Sequence, residues 1–340
     1  MPPLGIPRRR AAAQPIHVRA ERYIRERWDA RACERMAVGV NSEVWRVDLG
    51  HESLIARFWR IEEHRDLAAE CAHALGLVAA LGLPAPRLLD TDFGPRAAAH
   101  GFRVTVEEHI PGRHLRLEDL GERRVVEQIA SLLIRLHSMT SDVAGRPWSR
   151  HNREHPWERW MTDRARVLVD RARRLGLADR ATAKELGEWF ASRRPRLREV
   201  SPLCLVHGDL QPANLLMDDR GRVTLIDFAT LSFAPRVLEL ASAHNAFELV
   251  ARGAFAPILE EYLRREQGTG NKEQDEGAIE RMWREHGAHF RAFDQLRRAV
   301  SAQRKVGKRR HIGRRDVYAH KAELFWGLLL ETAGIREIRG

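Results

Sequence analysis

Leu205-Val206-His207-Gly208-Asp209-Leu210-Gln211-Pro212-Ala213-Asn214-Leu215-Leu216-Met217, continued by Val223-Thr224-Leu225-Ile226-Asp227-Phe228, is the stretch from which the rest of the chain can be read. Leu215 to Met217 and Val223 to Ile226 read as two short buried strands, and Asp218-Asp219-Arg220-Gly221 supplies the turn between them. A hairpin fixes its register. It therefore holds acidic and amide groups just before its first strand and another acid just after its second, at the same end. Asp209, Asn214 and Asp227 are hard oxygen donors of the kind a metal-nucleotide site needs.

The chemistry that suits such a set is phosphoryl transfer, which asks a protein mainly to position reactants and neutralise charge, with one carboxylate to orient the acceptor hydroxyl. The spacing from Asp209 to Asn214 equals that of the H-R-D-x-x-x-x-N catalytic loop, and Asp227 falls where the D-F-G aspartate belongs. The segment resembles more closely the H-G-D-x-x-x-x-N and I-D-F signatures of the aminoglycoside phosphotransferase and choline kinase family. That resemblance implies Asp209 as the catalytic base and Asn214 and Asp227 as ligands of Mg2+. It makes His207 a support of the loop.

Working outward, other segments fall in the family's order. Met36 to Val38, Val44 to Val47 and Leu54 to Phe58 have strand patterns, and the turn Gly39-Val40-Asn41-Ser42 is the expected phosphate-covering loop, with Gly39, Asn41 and Ser42 as its contacts. Arg57 lies where kinase-like folds place a basic residue for the α- and β-phosphates. Lysine is usual there, and arginine brings a planar fork instead of a point charge. Residues 62 to 82 read as an amphipathic helix through Leu67, Cys71, Leu75, Val78 and Leu81, and Glu70 beside that stripe is the expected carboxylate partner of Arg57, with Glu62, Glu63 and Asp66 competing for the role. Gly82-Leu83-Pro84-Ala85-Pro86 resembles the family's G-L-P-x-P stretch. Phe102 to Glu108 is a strand pattern, and Glu108, His109 and Ile110, before Pro111-Gly112, resemble the hinge whose backbone meets the base. Glu107 is a departure at a position that is more often apolar.

Beyond the hinge the chain reads as mostly helical. Val125 to His137 is amphipathic and ends like the family's L-x-x-L-H helix, with His137 expected in a core or capping role. Ala234-Pro235-Arg236-Val237-Leu238-Glu239-Leu240-Ala241 resembles the P-x-x-x-D-L-A segment, Glu239 standing in place of aspartate with a structural role on the catalytic loop. Residues 236–266, 275–301 and 316–333 read as helices, and 267–272 as a flexible linker. The run from 304 to 315 is the most basic part of the chain and is a candidate contact for an anionic partner.

Composition sets the frame. The 340 residues can form two lobes with real cores, and an apolar share of 44% argues against wholesale disorder. Three cysteines without paired or metal-ligand spacing fit a reducing compartment, and no run reaches the length of a membrane span, so a cytoplasmic protein is expected. The net charge of +11 leans towards anionic partners. The fold expected is α+β, a two-lobed protein-kinase-like architecture. After a mobile tail over 1–18, a small antiparallel-sheet lobe occupies 19–108 and a larger, mainly helical lobe 109–340. The function implied is transfer of the γ-phosphate of ATP, or GTP, to a hydroxyl of a small molecule such as an aminoglycoside, amino alcohol or sugar. The alternatives are a lipid or saccharide acceptor at a membrane surface, and a kinase-like protein that binds nucleotide without catalysis. Carboxylates for a cationic acceptor are available at Glu239, Glu248, Glu260, Glu261, Glu285 and Asp294.

Overall fold

The computed structural model describes residues 15–38, 42–61, 66–142, 144–145, 157–200, 202–269, 277–306 and 314–335. In chain order the elements are α1 (Ile16–Arg27), β1 (Ala32–Val38), β2 (Ser42–Asp48), β3 (Ser53–Arg60), α2 (Leu67–Ala80), β4 (Leu88–Asp92), α3 (Pro95–Ala99), β5 (Phe102–Glu108) and β6 (Arg113–His114). They continue with α4 (Arg123–His137), β7 (Thr140–Ser141), α5 (Trp157–Arg174), α6 (Arg180–Ser192), α7 (Leu197–Val200), β8 (Leu203–Val206), β9 (Leu215–Met217) and β10 (Val223–Leu225). Last come β11 (Ser232–Pro235), α8 (Arg236–Glu248), α9 (Ala256–Thr269), α10 (Ala278–Val306) and α11 (Arg315–Ala333).

Two compact units result, one formed by 1–114 with 215–229 and the other by 115–214 with 230–340. The hairpin β9–β10 thus groups with the N-terminal sheet, although it lies a hundred residues further along the chain. Its strands explain why. β6 pairs antiparallel with β9, and the Leu225 amide donates to the Pro84 carbonyl at 3.1 Å.

The first unit is built on a five-stranded antiparallel sheet in the order β1-β2-β3-β5-β4. Alternation gives it one apolar face, since Leu54, Ala56 and Phe58 of β3 and Phe102, Val104 and Val106 of β5 are all buried. Helix α1 covers that face with Ile16, Ala20, Tyr23 and Ile24, a stripe at helical spacing, and the Tyr23 ring meets Phe58 and Phe102 edge-on. The tail expected through residue 18 therefore ends earlier, because Ile16 is buried in this core; residues 1–14 lie outside the described residues. Helix α2 starts at Leu67, with Asp66 capping the Ala69 amide at 3.1 Å, and stops before Gly82, which takes a left-handed φ of 61°.

The second unit is mainly helical. Its core joins α5, α6, α8, α10 and α11 through residues such as Leu168, Leu186, Phe290, Leu296 and Leu329, while a small sheet in the order β11-β8-β7 carries the loop from His207 to Asn214 on β8. The helix expected over 236–266 is two. Leu249–Phe255 breaks it where Gly253 takes a φ of 80° and its amide is received by the Glu248 carboxylate at 2.9 Å. The linker expected over 267–272 is helical as far as Thr269, and residues 270–276 lie outside the described residues. So does 307–313, most of the basic run. Among the described residues no helix is long and apolar enough to cross a membrane.

Candidate active site

In the first unit the opposite face of the sheet carries the buried polar residues Arg57, Thr105 and Glu107. Arg57 on β3 faces Thr105 on β5, so Glu107, two residues along, lies diagonally across from it on the same face. The Arg57 Nε donates to Glu107 Oε1 at 3.2 Å and its Nη1 to Asp227 Oδ1 at 3.3 Å. Thr105 Oγ1 also donates to Glu107 Oε1 at 3.3 Å, Trp59 Nε1 donates to Thr105 Oγ1 at 3.0 Å, and the Cys71 thiol of α2 reaches the same carboxylate oxygen at 4.0 Å. Burial opposes the Arg57 charge, but Glu107 first and Asp227 second outweigh it and hold its pKa above arginine's ordinary value. Burial, then Glu107, drives the Cys71 thiol well above the usual range, so it stays protonated.

Two carboxylates meet the Arg57 guanidinium. They are Glu107 and Asp227; Glu70, the partner expected from the sequence, lies in the first turn of α2. The reason is register: β5 runs beside β3 and places a carboxylate within a side chain's reach of the guanidinium. The Glu107 departure noted in the hinge strand is this ion-pair partner. Asp227 is the one non-glycine residue with positive φ, 65°, among the described residues. Such a backbone costs about 1–3 kcal/mol and is held by its surroundings, here the end of β10 and the Arg57 pair.

At the hinge, Glu108 ends β5 with its amide on the Arg87 carbonyl at 2.9 Å and its carboxylate on Arg87 Nε at 3.0 Å. His109 is partly buried, and burial followed by Arg46 lowers its pKa. Ile110 follows before Pro111 and Gly112. At Gly112 φ is 146°, and a Cβ there would stand 2.6 Å from the Met217 carbonyl oxygen, so only glycine lets the chain pass β9. Ser42 is buried at the start of β2; Gly39 and Asn41 lie outside the described residues.

In the second unit β8 leads into the loop that holds Asp209, the expected base. Gly208 has a φ of 77°, and a Cβ on it would lie 2.9 Å from the Thr230 carbonyl oxygen. Its amide donates to both carboxylate oxygens of Glu239, at 3.3 and 3.1 Å, and Thr230 Oγ1 donates to the His207 carbonyl at 2.8 Å. Glu239 thus anchors α8 to the loop, and its burial raises its pKa. The Asp209 carboxylate receives Gln211 Nε2 at 2.8 Å and Asn214 Nδ2 at 3.2 Å, while the same Nδ2 donates to the Asp209 carbonyl at 2.8 Å. Since the Asn214 amide nitrogen is spent on Asp209, its amide oxygen is the group left to serve as a ligand. Asp227 offers a carboxylate with one oxygen on Arg57. Asn214 in the second unit and Asp227 in the first are each a hard oxygen donor of the kind that Mg2+ takes.

A third contributor is not evident from the sequence. Helix α10 brings Arg298 to Asp209, Nη2 to Oδ1 at 3.9 Å. Arg298 Nε also donates to Asp294 at 2.6 Å, Arg297 Nε donates to Asp294 at 3.1 Å, and Asn245 and Ser242 of α8 complete the partners of that buried carboxylate. The spacing of Asp294 to Arg297 and Arg298 is the i to i+3 and i+4 signature of a helical ion pair. What it could not reveal is that this face turns to the catalytic loop. His137 is buried with Nδ1 and the Tyr262 hydroxyl 2.8 Å apart, a core role as expected.

The family model described as "phosphotransferase enzyme family", abbreviated APH, matches residues 32–275. The chain belongs to that family. It is a kinase, a phosphotransferase with a hydroxyl acceptor, and its fold is kinase-like. The aminoglycoside phosphotransferase APH(4)-Ia, in a ternary complex with AMP-PNP and hygromycin B, is similar at 14% identity over 92% of this chain and 98% of that one, with a TM-score of 0.62. The Plasmodium vivax ethanolamine kinase gives 15%, 89%, 82% and 0.60, and the GDP and kanamycin complex of APH(2")-IIia gives 14%, 94%, 99% and 0.61, in the same order. No curated protein matches the sequence significantly.

Proposed function

We propose that this chain transfers the γ-phosphate of a nucleoside triphosphate to the hydroxyl of a small molecule, with Asp209 as the base that orients the acceptor and takes its proton. Asn214 and Asp227 would hold Mg2+, which when bound neutralises phosphate charge. Arg57, fixed between Glu107 and Asp227, would receive the α- and β-phosphates, and the hinge Glu108-His109-Ile110 with Gly39, Asn41 and Ser42 would complete the nucleotide contacts. Positioned proton transfer contributes about 10²–10⁴-fold, and orientation with electrostatic stabilisation supplies much of the rest.

The observation that carries this reading is the hold on Asp209: Asn214 and Gln211 both donate to its carboxylate. A carboxylate so fixed keeps one geometry towards an incoming hydroxyl. ATP and GTP are both donors to test, since one similar structure is described with AMP-PNP and another with GDP. The experiment is nucleotide consumption across a panel of hydroxyl acceptors, with ATP and with GTP. Acceptor-dependent release of the nucleoside diphosphate is expected. A protein that binds nucleotide tightly and consumes none with any acceptor would instead be a binding protein.

A further inference from the structure

Within the second unit, α5, α6 and α10 enclose a cleft of about 530 Å³. Small-molecule sites run from roughly 300 to 1,000 Å³. The inner wall is apolar: Ala165 and Val169 come from α5, Ala183 and Phe190 from α6, and all four are buried. The space exists because α6 lines it with small residues, Ala183, Gly187 and Ala191, at four-residue intervals on one face. A Cβ on Gly187 would meet nothing within 4 Å.

Small residues alone would leave only a gap in the packing. His289 of α10 makes this wall different. Its ring lines the cleft, 4% exposed, parallel to Trp189 and edge-on to Phe190. Neither ring nitrogen has a hydrogen-bond partner among the described residues, and both are shielded from solvent. Burial first, then His286 and Arg193, lowers its pKa to about 4, so at neutral pH the imidazole is uncharged, with one N–H donor and one acceptor nitrogen. Leaving such groups unmet costs free energy that a polar ligand group would recover.

The mouth has a sign. Arg166, Arg173, Arg180, Lys184 and Arg194 line it, all of them exposed. The acids that line it are Asp170 and Glu188, and both are engaged: Asp170 with Arg173 at 3.5 Å and Arg174 at 2.6 Å, Glu188 with Lys184 at 3.8 Å. The cleft is also separate from the Asp209 loop. Arg298, the residue of α10 that meets Asp209, follows His289 by nine residues, or two and a half helical turns. The two side chains therefore leave opposite faces of α10, about 13 Å apart along its axis.

The geometry points to a second ligand site here, one that takes a hydroxylated aromatic carboxylate of two or three rings. Its ring system sits between α5 and α6, its hydroxyl meets the His289 imidazole, and its carboxylate stays at the basic mouth. Phe190 and His289 present ring surface to the cleft, which favours a flat aromatic body over an alkyl chain. Binding here requires neither nucleotide nor phosphoryl transfer.

The test is a fluorescence titration of the full chain, saturated with AMP-PNP, using 3-hydroxy-2-naphthoate, its amide, and 2-naphthoate. The wild type is expected to bind the hydroxy acid saturably at one per chain, and to prefer it to each of the other two by about fivefold. Gly187→Leu fills the gap with a good helix former and is expected to weaken binding tenfold or more, with its unfolding midpoint unchanged or raised. His289→Phe is expected to bind the hydroxy acid and 2-naphthoate alike. Should Gly187→Leu fail to fold, the His289→Phe comparison decides alone. Absence of saturable binding by the wild type, or variants that both bind as the wild type does, overturns the site. An amide bound as tightly as the acid overturns the anionic ligand. Self-association that Gly187→Leu abolishes, without probe binding, would give the cleft to a second copy of the chain and overturn the small-molecule assignment.

Discussion

Glu107 Oε1 accepts the Arg57 Nε at 3.2 Å inside the first unit, so the basic residue of β3 takes its carboxylate from the neighbouring strand β5. Both side chains are nearly buried, at 11% and 6% exposure. Breaking such a pair from one side strands a charge, at a cost of about 3–5 kcal/mol. Glu107→Ala is therefore expected to lower stability by an amount in that range and to weaken nucleotide binding at least tenfold, and Glu107→Gln to do less. Denaturant unfolding and titration with AMP-PNP check this. A Glu107→Ala variant as stable as the wild type would contradict the buried pair.

Two glycines are required where the site is assembled. Gly208 and Gly112 have positive φ, and a Cβ on either would come within 3 Å of a backbone carbonyl oxygen, Thr230 and Met217 respectively. Gly208→Ala and Gly112→Ala are each expected to cost more than about 2 kcal/mol, from strain plus collision. Gly187 in α6 meets nothing within 4 Å, and Gly187→Ala should gain up to about 1 kcal/mol from helix propensity. Chemical denaturation of the three variants gives the ranking, and a tolerated Gly112→Ala would refute the close approach to β9.

Acid sensitivity has a definite source in His289. It is 4% exposed, stacked on Trp189 at 6.0 Å, and neither ring nitrogen finds a partner among the described residues. Burial, then His286, lowers its pKa to about 4. The unfolded chain binds this proton near 6.5, so the native state holds fewer protons between those values. Stability is then fully present above 6.5 and falls as pH drops towards 4, by about 3 kcal/mol from this residue. His289→Phe is expected to flatten that limb, and to raise stability at neutral pH by removing two unsatisfied polar atoms. Unfolding midpoints at pH 7.5 and pH 5 measure both effects; an unchanged acid slope in the variant would rule out His289 as the cause.

The β9–β10 hairpin was legible in sequence because its spacing and its alternation point the same way. Leu215 to Met217 and Val223 to Leu225 form the expected antiparallel pair, with Asp209 and Asn214 ahead of it and Asp227 behind. Elements with one strong period, such as α4 and the β2–β3 hairpin, were legible for the same reason. The pairing of Glu107 with Arg57 was not, because strand register, which brings β5 beside β3, decides which side chains on that face meet. Arg298 escaped notice because a 29-residue helix presents several faces, and its own sequence does not say which meets the catalytic loop. The break after Glu248 was hidden by helix-forming residues on both sides of Gly253.

The central claim is that Asp209 takes the acceptor's proton, and substitution at Asp209 tests it most directly. Acceptor-dependent consumption of ATP is measured for the wild type and for Asp209→Ala, with AMP-PNP binding as the control for folding. Turnover by the variant is expected to drop by about two orders of magnitude or more, with nucleotide binding retained. An acceptor-dependent rate unchanged by the substitution would contradict the assignment.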